Sequence, residues 1–450
     1  MDVLQSIIDT IDGYLWGWPM IVLLLGTHVY LTIRLRFPQR YLFKAIRISV
    51  MRDKNATGDV SQFSALATAL AATIGTGNII GVATAVSMGG PGAVLWCWLT
   101  GVFGISTKYS EALLSVKYRV TTPRGKMLGG PMYVLKRGLN CKWAAILFAV
   151  FTSIAAFGIG NSVQSNAIAT LCYDTFDLSP YLTGSILTIA STLVLVFGVK
   201  GVARFCGIFV PFMAIFYVVG CIIILFLNGA YVWAALKLIC VSAFTPDAAG
   251  GGFVGSSFML AARYGVARGL FSNESGLGSA PIVAAAAQTR NPVRQALISS
   301  TGTFWDTVVV CALTGLVLVS SILAYPDINY SNGAVLTKMA FAKVPYFGTT
   351  LLTVGLLTFT FSTILGWEYY GERALEYLGG HKYALYYRIV YILVIFVGAI
   401  MSLNLVWGLS DITNALMAIP NIISLLLLSG VLVKETRKYL WSGRLDDSCD

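Results

Sequence analysis

The sequence predicts an all-α polytopic membrane protein of about eleven transmembrane helices, built as two inverted five-helix repeats plus one extra N-terminal helix. Three observations carry that prediction. The 450 residues are 57% hydrophobic and only 11% charged, with a mean hydropathy of +0.76, whereas a soluble domain carries about 25% charged residues. Apolar runs of the ~20 residues that cross a bilayer recur along the chain. Two of those runs are interrupted by glycine and polar residues, five spans apart and oppositely directed.

The spans fall near 14–36, 62–88, 92–118, 143–170, 180–200, 204–228, 256–288, 296–323, 347–376, 383–402 and 405–433. The ninth runs on into WEYYGERALEYL, which reads as a cytoplasmic extension. The stretch 324–346, with Ser-Asn-Gly at 331–333, is the longest outer loop and has room for a short capping helix. Basic residues follow every odd-numbered span: Arg34 to Lys54, Lys117 to Lys142, Lys200 and Arg204, Arg290 and Arg294, Arg373 and Lys382, then Lys434 to Arg444. The other loops hold little more than Lys237, Lys338 and Lys343. Lys and Arg collect in cytoplasmic loops, so the N-terminus is expected outside and the C-terminus inside the cell membrane. The same bias explains the net charge of +11 without a nucleic-acid partner.

The chain reads as one transport domain: a peripheral helix at 14–36, a first repeat at 62–228, a second at 256–433 and a cytoplasmic tail at 434–450. MDVLQSIIDTIDG has no basic region of the kind that opens a cleaved signal peptide. Eight Cys without a CxxC pair, and two distant His, argue against a disulfide framework or a zinc site. No HExxH, nucleophile elbow or clustered acid pair points to an enzyme.

The interruptions are TIGTGN at 73–78 and FSNESGLG at 271–278. Broken helix at membrane depth is tolerated only where protein buries it or it lines a cavity. Paired breaks in corresponding spans mark a transporter's binding site. A half-helix that stops in mid-membrane exposes carbonyls and a negative dipole end; the next begins with free N–H groups and a positive end. The carbonyls near Ala71–Ile74 therefore suit a small cation such as Na⁺. The N–H groups of Thr76 and Gly77 suit a carboxylate, which glycine lets approach closely. Cation beside carboxylate reads as sodium-coupled uptake of an amino acid. The competing readings are a kink or small-residue packing face at GTG, an ion channel with GTG as its filter, and a proton-coupled carrier using Asp306 or Glu274.

The chain resembles the alanine/glycine:cation symporters over nearly its whole length. GGPGAVLWCW at 89–98 stands where that family opens its third span with small residues and Phe-Trp-Met-Trp, Leu95 and Cys97 being departures. IGTGNI and FSNESGLGSAPI also match. The resemblance implies a LeuT-type fold of ten core helices, here with one extra, and Na⁺-driven import of alanine and glycine. It implies no cofactor beyond the coupling ion. No obligate protein partner is expected.

Lining the breaks up with that fold makes Thr76 and Gly77 the carboxylate cradle. It gives the carbonyls of Ala71 and Ile74 to a sodium site completed by Ser362 and Thr363, with Thr73 and Thr363 bordering the substrate. Thr73, Asn78, Ser272 and Asp306 could form a second sodium site; Asp306 could equally carry a proton or pair with a cation. The carbonyl of Phe271 with Asn273 and Ser275 would hold the ammonium, ahead of Glu274, which would be costly to bury bare. Asn161 and Gln164, three apart, could face the same cavity or bond between helices. Trp367 and Phe271 would shorten the side-chain pocket toward alanine or glycine. Arg263 and Arg268 would form an outer gate or snorkel to the interface.

Overall fold

Among the described residues, helix occupies most of each expected span, and its ends follow local chemistry. In this computed structural model residues 2–51, 56–245, 258–330, 332–344, 347–401 and 403–448 are described. Arg52, Lys54, 256–257, 331, 345–346, 402 and 449–450, all named above, lie outside them. The Ser61 side chain accepts from Ser64 N to start Gln62–Thr73, and Asn291 accepts from Arg294 N to start Pro292–Thr303. Asn332 does the same for Gly333–Ala342, the short helix expected in the loop 324–346. Each cap satisfies an orphan N–H of a first turn.

Among the described residues seven helices are long and apolar enough to cross a membrane alone, and the pair Gln62–Thr73 and Gly77–Gly89, bent by 54°, makes an eighth. Along Gly198–Leu227 the exposed side chains Ile208, Phe212, Ile215, Val219, Ile222 and Phe226 recur every three or four residues. They form an apolar stripe on one face of the helix. Phe347–Gly379 has 33 residues, about 50 Å of helix against ~30 Å of hydrocarbon. WEYYGERALEYL thus continues the ninth span as expected.

Three features depart from the expectation. The seventh span is not helical to residue 288. Phe258–Asn273 gives way to a loop, and only Pro281–Ala284 is helical beyond it. Positive φ at Glu274 (54°), Gly276 (93°) and Gly278 (85°) turns the chain where a helix would need negative values. A 14-residue helix, Gly229–Ser242, follows the sixth span; it is too short to be counted as a span. The peripheral helix of the first span, Trp18–Arg34, packs across Gly92–Lys117. A Cβ built on Gly276 would sit 2.8 Å from Leu24, so this helix reaches the second break.

The tail folds back. Asn291 Nδ2 donates to the carbonyls of Leu445 (2.8 Å) and Asp447 (2.9 Å), and Arg294 pairs with Asp446.

Candidate functional site

The two breaks meet. A Cβ on Gly77 would lie 3.1 Å from the Phe271 ring and 3.2 Å from Ser272 Cα. The first break is turned by Ile74, with ψ 96°, and is held by its own asparagine: Gly75 N donates to Asn78 Oδ1 at 2.8 Å. Asn78 thus reaches back from the first turn of the half-helix that follows and satisfies an N–H of the break.

The expected sodium ligands converge. Thr363 Oγ1 lies 3.1 Å from both Ala71 O and Ile74 O, and Ser362 Oγ lies 3.3 Å from Ala71 O. Both hydroxyls also reach Phe359 O, at 2.8 and 3.0 Å. Each can therefore turn its hydrogen to its own helix and offer lone pairs to a cation beside the two carbonyls. That gives four oxygens, a donor set suited to a hard ion. Gly75 makes the approach possible: a Cβ there would sit 2.6 Å from Thr363 Oγ1.

Gln164 joins this cluster. Its Oε1 accepts from Thr76 N at 3.3 Å, and its Nε2 donates to Thr76 Oγ1 at 3.2 Å and Ile159 O at 2.9 Å. An amide oxygen thus occupies the N–H expected to receive a carboxylate. Asn161 points elsewhere: its Nδ2 donates to Tyr391 O at 2.8 Å, an interhelical bond away from the breaks. The residue type allowed both readings, and the three-residue offset from Gln164 places it against a different neighbour.

Of the four residues grouped as a second sodium site, three come together. Asp306 accepts from Asn78 Nδ2 (2.7 Å), Ser272 Oγ (3.0 Å) and Thr307 Oγ1 (2.6 Å), so both its oxygens are bonded to protein donors. Thr73 is not among them. Its hydroxyl bonds back to Ala69 O at 3.2 Å, the local alternative open to any helical threonine.

At the second break, Ser275 N donates to Asn273 Oδ1 at 2.9 Å, and Asn273 Nδ2 donates to Thr100 Oγ1 at 3.3 Å. Ser275 Oγ meets Thr303 Oγ1 at 3.2 Å. The Glu274 carboxylate accepts from Trp367 Nε1 at 2.9 Å and from Ser279 Oγ. Trp367 is fully buried. Above Phe271, the Arg268 guanidinium lies 5.8 Å from the ring and 3.6 Å from Asp411. Arg263 lines one cavity with Arg268, Phe271 and Asp411.

Sequence reasoning passed over Lys108, Glu111 and Asn421. Glu111 Oε1 accepts from Gly276 N and Gly278 N, each at 3.0 Å, and from Asn421 Nδ2 at 2.7 Å. One carboxylate therefore holds the second break in shape. The available signal was two ionisable residues three apart inside an apolar span, which marks function by default.

The whole chain matches known proteins. A family model described as the sodium:alanine symporter family matches residues 1–448. A sodium/alanine symporter of Methanococcus maripaludis is 49% identical over 443 residues, covering 96% of this chain and 97% of that protein. An uncharacterized transporter of Haemophilus influenzae is 52% identical over 441 residues, 97% of this chain and 96% of its own. A probable sodium/glutamine symporter of Bacillus subtilis is 35% identical over 443 residues, 97% and 91% of the two chains. Among solved structures, MhsT in complex with L-phenylalanine superposes with a TM-score of 0.58 at 14% identity, over 83% of this chain and 89% of that one. A manganese transporter of Eremococcus coleocola does so at 0.54, also at 14% identity, over 85% and 82%. At such identity the likeness is one of fold, and the fold is the LeuT type.

Proposed function

The chain belongs to the sodium:alanine symporter family, and from that premise we propose that this multi-pass transporter imports alanine and glycine by coupling each to inward Na⁺. The observation that carries the reading is the convergence of Ala71 O, Ile74 O, Ser362 Oγ and Thr363 Oγ1 in the gap of a broken helix. The ion would bind there and tie the ninth span to the first break. That closure orders the N–H groups of Thr76 and Gly77 for the substrate carboxylate. Phe271 O, Asn273 and Ser275 take the ammonium. Trp367 and Phe271 would shorten the side-chain pocket toward a methyl group or a hydrogen. In the alternating-access cycle, the outer side closes over the occupied site before the inner side opens. Inward Na⁺ gains about 2.3 kcal/mol per 100 mV, enough to drive accumulation. The alternating basic loops support a plasma-membrane protein with its N-terminus outside and its C-terminus inside.

The test is uptake into proteoliposomes under an inward Na⁺ gradient at equal internal and external pH. Alanine and glycine should accumulate, and leucine should not. Accumulation driven by a proton gradient without Na⁺ would replace this reading with the proton-coupled one, in which Asp306 or Glu274 carries the proton.

Gln164 supplies a second expectation. Its amide oxygen stands where the substrate carboxylate docks and must move aside on binding, after which its Nε2 is free to donate to that carboxylate. Gln164→Ala should raise the alanine concentration for half-maximal uptake roughly tenfold, about 1.4 kcal/mol, with little change in the Na⁺ midpoint. An unchanged alanine midpoint removes Gln164 from the substrate site.

A further inference from the structure

The third span holds a cation for which the transport site gives no role. Lys108 is 3% exposed, and its ammonium has no hydrogen-bond partner among the described residues. It lines a small cavity with Thr73, Asn273, Ala280, Pro281 and Ser299. Thr73 is the last residue of the half-helix Gln62–Thr73, and Asn273 is the last of the half-helix Phe258–Asn273. Two helix C-termini, each a negative dipole end with carbonyls lacking intrahelical partners, therefore border one cavity. The charge of Lys108 also acts on the carboxylates of Glu111, Glu274 and Asp306 and on the ring of His28. Each of those groups is already bonded elsewhere: Glu111 to the second break, Glu274 to Trp367 and Ser279, Asp306 to Asn78, Ser272 and Thr307, His28 to Thr107.

A buried ammonium costs several kcal/mol unless negative charge faces it. Lys108 stands near the middle of its span, between Gly92 and Lys117, so its head cannot snorkel to an interface as one near a helix end does. What offsets the cost is the field of the two half-helix ends and the three acids. That field, with the Thr73 and Ser299 hydroxyls at its edge, is equally suited to a hard metal cation.

We propose that Lys108 is a tethered cation of the transport cycle, its ammonium taking the place at the paired half-helix C-termini that a second coupling Na⁺ would otherwise fill. A tethered charge moves with the protein and contributes no ion to the flux. Coupling is then set at the single Na⁺ held by Ala71, Ile74, Ser362 and Thr363.

The proposal rests on the Na⁺-coupled reading above, and the two fail separately. In proteoliposomes of the full chain, ²²Na⁺ and alanine uptake should be equal, and alanine uptake should rise with Na⁺ at a Hill slope near 1. Uptake indifferent to Na⁺ removes the Na⁺ reading and this one with it. Two Na⁺ per alanine leaves the coupling intact but overturns the role of Lys108. In Lys108→Met the vacated site should recruit an ion, moving the slope toward 2 and the flux ratio above 1. Lys108→Arg should keep the wild-type slope. A folded Lys108→Met with unchanged slope and ratio makes the lysine structural only. Should that variant not fold, the wild-type flux ratio still decides.

Discussion

Replacing Ser362 and Thr363 together by alanine is expected to raise the Na⁺ concentration for half-maximal alanine uptake by roughly 10- to 100-fold, about 1.4–2.8 kcal/mol. The two hydroxyls are half of the four oxygens gathered at the first break. Alanine is the best helix former, and both hydroxyls bond back to Phe359 O, so their removal leaves the ninth span intact. What disappears is the bridge between that span and the carbonyls of Ala71 and Ile74. A small cation left with two carbonyls must keep more of its water, and affinity falls. The alanine midpoint should shift less when measured at saturating Na⁺, because the substrate groups at Thr76, Gly77 and Gln164 remain. The measurement is a Na⁺ titration of uptake in proteoliposomes of matched protein content. A wild-type midpoint in the double variant would dissolve the site.

The sequence made the two breaks legible because their chemistry contradicts their surroundings. Glycine and an amide inside an apolar run have a price that only a site explains, and the structure places TIGTGN and FSNESGLG against each other through Gly77 and Phe271. Ser362 and Thr363 stood out from the other hydroxyls of the ninth span, Thr349, Thr350, Thr353, Thr358 and Thr360, because lining the first break up with the LeuT-type fold put them at its depth. Thr73 and Asn161 show the limit. A threonine's hydroxyl bonds its own helix as readily as a ligand, and an asparagine's direction depends on rotations of tens of degrees that only packing fixes. Glu111 and Lys108 escaped because they sit in an unbroken helix, Gly92–Lys117, and the reading sought breaks. Their partners, Gly276, Gly278, Asn421 and the cavity below Thr73, lie far away along the chain. Gly229–Ser242 escaped because counting bilayer-length runs discards 14 residues.

Gly58→Val is expected to lower alanine uptake by at least tenfold while the protein still inserts and folds. The chain entering the first broken helix is tied to the chain leaving the second. Thr57 bridges Thr289 and Val60 bridges Ala287. Asp59 N and Gln288 N donate across the pair to Ala286 O and Val60 O, both at 2.8 Å. Arg119 clamps the pair from outside, donating to Ala285 O (3.1 Å), Ala287 O (2.9 Å) and Thr57 O (3.3 Å). These segments flank basic loops that the proposed topology puts inside, so on that topology they lie where the inner side of an alternating-access carrier must open and shut. A Cβ on Gly58 would stand 2.5 Å from the Ala287 carbonyl and Gln288 N, leaving no side chain room while the pair is closed. Each lost hydrogen bond is worth about 1 kcal/mol, so losing two shifts the balance of closed and open forms by more than tenfold. Arg119→Ala removes only the clamp, so its effect should be smaller, roughly two- to fivefold. Amide hydrogen exchange supplies a readout independent of transport: Asp59, Val60 and Gln288 should exchange faster in Gly58→Val, and the amides of Phe347–Gly379 should not. Fast uptake with protected amides would mean that the pairing tolerates a side chain, and the inner closure would then have to be sought elsewhere than between these two segments.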